Sequence, residues 1–311
     1  MKKKRFYYNG KTGITRTKGF EHKLLAKYSV NIGNICEFGC SFCYVPSITN
    51  KQKTVKSILD KGYKIEEFSS YRYKENVLST ITQDLRSIKP NDHGTIIFCT
   101  TCDPCATLED ADTSIDAIKL IMKKSNLQVR VLSKSILIKN IAESLLSYNK
   151  RIIYGLSTGT SLEEVSNAIE QSASPIKKRI VTLHHLQDKK FRTYGMICPV
   201  IPSEVDRVKQ LVDQIRPELC EDVWVEAVNV RGKSLVNTYE KLLNAGLEKH
   251  AQELKRVMGN KDYWREYSKK LFLNFQKEMR ERGQLKKLHF LQYVSVEDRE
   301  FFEKQEGAVC L

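Results

Sequence analysis

Two spacings of apolar residues alternate along the chain and predict strands and helices in turn. Short runs rich in β-branched and aromatic residues predict buried strands. These runs cover residues 30–35, 95–99, 128–132, 151–156, 193–198 and 223–228. The segments between them carry apolar residues three or four positions apart, which is typical of helices packed on one face. These segments cover residues 77–88, 110–124, 136–147, 162–171, 175–187 and 204–215.

The repeated strand–helix units predict an α/β fold with parallel strands, because the connections are too long for hairpins. The alternation alone leaves an open sheet and a barrel as alternatives. From residue 234 the pattern changes to helical stretches over 237–258 and 262–282, followed by one strand-like run over 287–294. We therefore expect three segments: a leader over 1–27, a core over 28–233 and a mainly helical C-terminal extension over 234–311.

Composition and the N-terminal residues predict the cellular compartment of the protein. The chain has 311 residues, of which 41% are hydrophobic, enough for a substantial core. No apolar run reaches the roughly 18 residues that a membrane helix needs. The basic N-terminus is not followed by the apolar region of a secretory signal. We expect a cytoplasmic protein with no membrane contact.

Positive charge is concentrated in the leader. The net charge is +15, and residues 1–27 carry nine Lys or Arg against the single acid Glu21. Aromatic residues lie between these cations (Phe6, Tyr7, Tyr8 and Phe20). Such a segment could follow a phosphate backbone and stack on bases, so DNA or RNA is a candidate partner. The alternative is a solvated tail that only aids solubility.

Cysteine usage points to metal or redox chemistry. A reducing compartment disfavours structural disulfides, yet the chain has nine cysteines. Six of them form two groups, Cys36, Cys40 and Cys43, and Cys99, Cys102 and Cys105. The thiolates of the first group can surround one cluster, and soft ligands of this kind select zinc or iron–sulfur clusters. Structural zinc usually takes four ligands, and no fourth lies nearby, which favours a four-iron cluster with one open iron.

The C-x3-C-x2-C spacing, with an aromatic residue (Phe42) before the last cysteine and a strand before the first, resembles the motif of the radical S-adenosylmethionine (SAM) superfamily. The resemblance implies that Cys36, Cys40 and Cys43 hold a [4Fe–4S] cluster whose open iron binds SAM. Reductive cleavage of SAM would then give a 5′-deoxyadenosyl radical, with the electron supplied by a flavodoxin- or ferredoxin-type donor. Phe42 and Tyr44 would line the cofactor site.

Further segments resemble the spore photoproduct lyase-like branch of that superfamily, over residues 18–232. They are the opening at 18–31 and 39–46, the strand ends at 131–135, 155–158 and 197–202, the segment 170–179, and the closing strand 224–232. The branch implies a partial (βα)6 TIM-like barrel with its site at the carboxyl ends of the strands. It assigns Asp103, Lys134 and Ser157 to SAM binding. Without that role, Lys134 would cap a surface loop, Ser157 would be a turn residue and Arg179 would make a salt bridge.

The second cysteine group falls where true lyases of that branch carry a hydrogen-donating cysteine. Aligning on Asp103 places the donor at Thr100, whereas aligning on Cys99 and Thr100 places it at Cys99. Three interpretations remain open. Cys99 or Cys102 acts as a catalytic hydrogen donor or relay. Alternatively, Cys99, Cys102 and Cys105, with or without Cys198, bind a second iron–sulfur cluster. In the third, these are ordinary buried thiols.

The resulting hypothesis is a radical SAM enzyme that abstracts a hydrogen atom from a nucleic-acid base, either as a repair lyase or as a modifying enzyme. A base in a duplex would have to be unstacked to reach such a site. The first alternative is radical SAM modification of a peptide or small metabolite. The second is a metal-dependent nucleic-acid-binding module without catalysis.

Overall fold

The computed structural model describes residues 6–49, 72–228 and 234–311. The basic run at 1–5 and part of the predicted closing segment, including Asn229 and Arg231, lie outside the described residues. The chain divides into two compact units. Within the described residues, the first unit comprises 6–21, 25–39, 43–49 and 72–154, and the second comprises 22–24, 40–42, 155–228 and 234–311.

The first unit contains two sheets. The smaller has the order β1-β5-β4 and consists of β1 (Phe6–Tyr8), β4 (Gly33–Ile35) and β5 (Arg72–Lys74). The larger run has the order β2-β3-β6-β7 and consists of β2 (Ile14–Arg16), β3 (Tyr28–Val30), β6 (Thr95–Phe98) and β7 (Gln128–Ser133). Strands β3, β6 and β7 are parallel, and β2 is antiparallel to β3. The carboxyl ends of the three parallel strands therefore lie at one edge.

Helices accompany these strands, as the apolar spacing predicts. They are α1 (Lys18–His22), α2 (Val45–Thr49), α3 (Val77–Leu85), α4 (Leu108–Lys124), α5 (Ile138–Ser144) and a 3-10 turn over Leu146–Arg151. The start of α4 is fixed by a capping box, in which Thr107 Oγ1 accepts from the Asp110 N–H at 3.2 Å and Asp110 Oδ2 accepts from the Thr107 N–H at 3.1 Å. Such caps contribute about 1 kcal/mol.

The second unit contains the strand run β8-β9-β10-β11-β12. These are β8 (Ile152–Ser157), within which the boundary between units falls, β9 (Thr193–Val200), β10 (Val223–Ala227), β11 (Leu288–Gln292) and β12 (Ala308–Cys310). Strands β9 to β12 pair in parallel. The helices are α6 (Glu163–Ile169), α7 (Ile176–Asp188), α8 (Val208–Ile215), α9 (Ser234–Asn244), α10 (Glu248–Val257), α11 (Lys261–Glu281) and α12 (Val296–Glu303). Three 3-10 turns, Pro202–Arg207, Pro217–Leu219 and Leu285–Lys287, complete them.

The core is formed by the strands that the sequence marks as continuous apolar runs. Ile96, Phe98, Val129 and Val131 are fully or almost fully buried, and every residue of β8 is buried. Runs without polar alternation are expected where a parallel sheet is covered on both faces. None of the helices in the described part of the chain is long and apolar enough to cross a membrane.

The predicted α/β class with a mainly helical C-terminal region is confirmed, with three local differences. The predicted strand 30–35 is two strands, β3 and β4, because the chain leaves the larger sheet after Val30 and pairs with β5 in the smaller sheet from Gly33. The predicted helix 237–258 is interrupted at Gly246, whose φ is +70°. The C-terminal region supplies the predicted strand β11 and also the unpredicted strand β12, and both extend the sheet of the second unit.

Candidate active site

A short loop after β4 carries the first two cysteines of the motif. Cys36 directly follows β4, and a turn at Glu37 and Phe38 leads to Gly39. Gly39 has φ +59°, a conformation that side chains with a Cβ rarely adopt. Phe38 is 4% exposed and anchors the turn, while Glu37 Oε1 accepts a hydrogen bond from the Tyr73 hydroxyl at 3.3 Å. The turn is therefore fixed on the first unit by both apolar and polar contacts.

The segment between the second and third cysteines is held by hydrogen bonds of Ser41. Its N–H donates to the Ile169 carbonyl at 2.9 Å, and its hydroxyl donates to Thr238 Oγ1 at 3.1 Å. All these residues belong to the second unit. Phe42 is half-buried, whereas Tyr44, at the entry to α2, is 44% exposed.

The three cysteines of the motif fit a cluster chemically. Cys36, Cys40 and Cys43 are half-buried thiols, and soft thiolates are the ligands of iron–sulfur clusters. Burial raises the pKa of the Cys43 thiol, while the backbone N–H of Val45 and the charge of Lys134 oppose this shift. Within residues 6–49, 72–228 and 234–311, no three Cys, His, Asp or Glu side chains lie close enough together to hold a single metal ion.

The carboxyl ends of β3 and β6 are joined through Asn31. Its Oδ1 accepts from the N–H groups of Thr100 at 2.7 Å and Thr101 at 2.9 Å. The Cys99 N–H donates to the Val30 carbonyl at 2.7 Å, and Cys99 itself has φ +64°. A non-glycine residue in this conformation is uncommon and is found preferentially at functional sites. The sequence pattern assigned no role to Asn31, because its partners lie about 70 positions away.

Asp103 links this loop to the carboxyl end of β7. Its carboxylate accepts from the Ser133 hydroxyl at 2.7 Å, the Lys134 N–H at 3.0 Å and the Cys105 N–H at 3.0 Å. Burial raises the pKa of Asp103, and these donors together with the charge of Lys134 oppose the shift. The same Lys134 charge acts on Cys43. The structure thus brings Lys134 into electrostatic range of both the third motif cysteine and Asp103, all within the first unit.

The three thiols of the second group have different surroundings. Cys99 is 7% exposed and lies within interaction range of the half-buried Cys102. Cys105 is fully buried, and its S–H donates to Ser133 Oγ at 3.2 Å. Burial raises the pKa of Cys99 and that of Cys105 well above the usual thiol range. Cys99 and Cys102 therefore interact with each other, whereas the Cys105 thiol contacts Ser133 at the end of β7.

Ser157 lies at the end of β8, in the second unit, and is almost fully buried. Its hydroxyl donates to the Cys198 carbonyl at 2.8 Å, while its carbonyl accepts from Arg179 Nη1 at 2.6 Å. Arg179 is completely buried and pairs with Glu170, and Ser166 hydrogen-bonds to both charged groups. Arg179 thus fixes the end of β8 through a buried ion pair, which is the salt-bridge alternative considered for it.

A second polar cluster, which the sequence pattern did not reveal, lies at the carboxyl ends of β9, β10 and β11. Glu226 Oε1 accepts from the Tyr293 hydroxyl at 2.9 Å and Lys23 Nζ at 3.5 Å, and Glu226 Oε2 accepts from the Cys198 thiol at 3.5 Å. Burial alone would lower the pKa of Lys23, but Glu226 and Tyr293 raise it. The only signal in the sequence was the acidic residue near the end of a predicted strand.

Part of the leader's positive charge is used inside the protein. Lys23 pairs with Glu226, Lys27 Nζ contacts Asp92 Oδ2 at 2.7 Å, and Arg16 lies 3.7 Å from Glu21. These three cations are engaged with carboxylates. The leader charge available to an external polyanion is therefore smaller than the sequence count suggests.

Taken with these sites, sequence and structure comparisons define the class of the protein. A model of the radical SAM superfamily matches residues 30–215, and the chain belongs to this superfamily. A curated relative, the uncharacterized protein MJ0683 of Methanocaldococcus jannaschii, is 22% identical over 245 residues, which are 78% of this chain and 83% of that protein.

Solved structures with a similar fold include spore photoproduct lyases. A point mutant of this lyase aligns with a TM-score of 0.62 at 13% identity, over 90% of this chain and 79% of the lyase chain. The lyase complexed with dinucleoside spore photoproduct aligns with a TM-score of 0.53 at 13% identity, over 86% and 79% of the two chains. The predicted radical SAM fold and its likeness to this branch are confirmed.

Proposed function

We propose that this radical SAM enzyme binds its [4Fe–4S] cluster through Cys36, Cys40 and Cys43 and abstracts a hydrogen atom from a nucleic-acid base. The observation that carries the site assignment is the position of Lys134. Its charge acts on Cys43, although the two residues are 91 positions apart in the sequence. Membership of the superfamily supports SAM as cosubstrate.

Each predicted residue then has a role that follows from its contacts. When bound, the cluster and SAM supply a 5′-deoxyadenosyl radical. Lys134 offers a positive charge beside Cys43, suited to the carboxylate of SAM. Asp103 already accepts three hydrogen bonds from the chain, so it orients the Lys134 backbone. Phe42 and Tyr44 flank Cys43 in the sequence, and Ser157 lies at the carboxyl end of β8.

The surroundings of the second cysteine group favour a hydrogen donor over a second iron–sulfur cluster. A cluster held by Cys99, Cys102 and Cys105 requires the three thiolates to face a common point. Cys105 instead donates to Ser133 in a fully buried position, whereas Cys99 and Cys102 interact with each other. The raised pKa of Cys99 keeps its S–H bond intact, as donation of a hydrogen atom requires.

A nucleic-acid substrate is supported by the charge of the chain and by its structural relatives. The net charge is +15, with the largest density in the leader, and a similar lyase has been solved with a dinucleoside photoproduct. A basic leader with interleaved aromatic residues suits a phosphate backbone with exposed bases. Lys23, Lys27 and Arg16 are paired with carboxylates. We therefore expect the other basic residues of the leader to contact the nucleic acid.

The first experiment tests the cofactor chemistry. Anaerobically reconstituted, reduced protein should bind about four irons and convert SAM into 5′-deoxyadenosine. Cys43→Ala should lose both iron and product, whereas the matched Cys220→Ala variant, a buried thiol at another place in the fold, should retain both. About eight irons, falling to about four in a Cys99/Cys102/Cys105→Ala variant, would instead support the second cluster. A protein that forms no 5′-deoxyadenosine would be a binding module.

The second experiment tests the substrate class. Binding to single- and double-stranded DNA and RNA should weaken linearly with the logarithm of salt concentration, because each phosphate contact releases counterions. Deuterated nucleic acid should then transfer deuterium into 5′-deoxyadenosine. If no salt-dependent binding occurs at physiological ionic strength, the nucleic-acid assignment fails, and peptides or small metabolites become the substrates to test.

A further inference from the structure

We infer that Cys99 and Cys102 form a reversible dithiol–disulfide couple that exchanges with an external thiol or disulfide. The two residues are three positions apart, on the turn that follows β6, and their thiols lie within interaction range, since Cys102 contributes to the raised pKa of Cys99 after burial. Two thiols in contact within a C-x-x-C segment can close a disulfide with little movement of the chain. Both belong to the first unit.

The turn that carries the couple is held firmly by backbone contacts. The Cys99 N–H donates to the Val30 carbonyl. Two residues, Thr100 and Thr101, separate the cysteines, and their N–H groups donate to Asn31 Oδ1. The Thr101 hydroxyl donates to the Gly33 carbonyl at 2.8 Å. These bonds keep Cys99 in its unusual positive-φ conformation. The thiols are therefore held close together, and this increases their effective concentration for ring closure.

Exposure distinguishes the two thiols. Cys102 is half-buried and accessible to a small disulfide, whereas Cys99 is 7% exposed. Cys102 is therefore the thiol that meets the external partner, and Cys99 is the thiol that resolves the intermediate, since exchange depends on access. Cys105 does not compete, because it is fully buried and bonded to Ser133.

The exchange proceeds in two balanced steps. The Cys102 thiolate attacks one sulfur of an external disulfide, forms a mixed disulfide and releases one thiol. Cys99 then loses its proton to solvent or to the released thiolate and attacks the Cys102 sulfur, which closes the Cys99–Cys102 disulfide and releases the second thiol. The couple loses two electrons and two protons, which the external disulfide gains. An external dithiol reverses the reaction.

The inference extends the proposed hydrogen-donor role and rests on it in one respect only. The reduced couple carries the S–H bonds that hydrogen donation needs, and the oxidised couple carries none. Oxidation should therefore stop product formation at the substrate radical while cleavage of SAM continues. The formation of the disulfide itself requires no assumption about the substrate.

The test equilibrates the anaerobic holoenzyme with mixtures of reduced and oxidised glutathione. After acid quenching and alkylation, the mass of the peptide that contains both thiols is measured. We expect Cys99 and Cys102 to lose their reactivity together, with a loss of two hydrogens from the peptide, and Cys102→Ser to abolish this loss. Cys105→Ser, the matched control in the same loop, should leave the midpoint unchanged.

Three outcomes would overturn the couple. They are independent alkylation of the two thiols at every ratio, glutathione remaining on Cys102 while Cys99 stays free, and a disulfide that includes Cys105. The release of 5′-deoxyadenosine is measured in parallel samples at each ratio, which also receive SAM and a reduced flavodoxin- or ferredoxin-type donor, because glutathione does not reduce the cluster. If the disulfide forms but no 5′-deoxyadenosine appears at any ratio, the couple stands and the proposed function fails. If 5′-deoxyadenosine appears but no disulfide forms, the proposed cofactor chemistry stands and the dithiol–disulfide couple fails.

Discussion

Asn31 fixes the loop after β6 with a single side chain. Its Oδ1 accepts from the N–H groups of Thr100 and Thr101, so Asn31→Ala leaves two backbone donors without this partner. We expect the variant to lose about 1–3 kcal/mol of unfolding free energy, measured by urea denaturation. The control Asn126→Ala removes an exposed contact to the Pro90 carbonyl and should change the value by less than about 0.5 kcal/mol. Equal losses in the two variants would contradict the role of Asn31.

The buried pair of Arg179 and Glu170 allows a second test. Arg179→Met leaves the Glu170 carboxylate buried without its cation, and this should cost about 3–5 kcal/mol of unfolding free energy. Combining it with Glu170→Met should recover much of the loss, because both charges are then removed. Lys177 lies on the same helix α7 as Arg179, and Lys177→Met, which breaks an exposed ion pair with Glu163 of α6, should have no measurable effect. Additive losses in the double variant would show that the two charges are not coupled.

Among individual residues, the sequence predicted those that belong to a recognisable short motif or segment. Lys134 could be predicted as a SAM contact because its strand-end segment resembles the lyase branch, and the cysteines of the motif because their spacing is specific. Asn31, Ser133 and Tyr293 could not, because their partners lie tens of positions away and their residue types are common in loops. Ser157 was predicted as a SAM contact, but its use of the Cys198 carbonyl depends on strand neighbours that no pattern specifies.

Helices α9 and α10 show how one residue divides a predicted element. Apolar spacing continues from 237 to 258, but Gly246 has φ +70°, and the N–H groups of Gly246 and Leu247 turn back to the carbonyls of Leu243 and Leu242. This is the pattern of a glycine-terminated helix. Periodicity does not report it, because the apolar face resumes after the turn. Periodicity also fails to predict β12, because a strand of three residues is too short to show an alternating pattern.

Gly246→Ala tests this helix end. No heavy atom lies within 4 Å of a Cβ at Gly246, so only the backbone conformation opposes the substitution. We expect a loss of about 1–2 kcal/mol, the cost of the left-handed conformation for an L-residue. Gly19→Ala in α1 also meets no atom and has no positive φ, so it should be neutral or slightly stabilising. A neutral Gly246→Ala in thermal or urea unfolding would show that the turn can rearrange.

The attachment of the leader gives the whole molecule an acid-dependent stability. Asp92 accepts from Lys27 Nζ, from the Tyr28 hydroxyl at 2.8 Å and from the Gly94 N–H at 2.8 Å. The hydrogen bond from Lys27 is the main cause that lowers the pKa of Asp92 to about 2. Because the folded pKa lies below the unfolded value of about 3.9, this stabilisation is complete above pH ~4 and is lost as the pH falls toward 2.

Asp92→Asn should therefore be less stable than the parent at pH 6, and the difference should shrink as the pH falls from about 4 to about 2. The measurement is the difference in unfolding free energy between the two proteins across this range. Asp112→Asn provides a surface control, because Asp112 lies on the exposed side of α4. A difference that does not change with pH would contradict the assignment of the acid dependence to Asp92.

The order of the two units along the chain limits how this protein can be divided or assembled. Residues 22–24 and 40–42 cluster with the second unit although they precede most of the first. A gene cut after residue 154 would leave the Ile169 carbonyl and Thr238 without Ser41, and Glu226 without Lys23. Such an arrangement could not arise by joining two finished domain genes end to end. An engineer who exchanges the second unit with a relative must transplant both small segments with it.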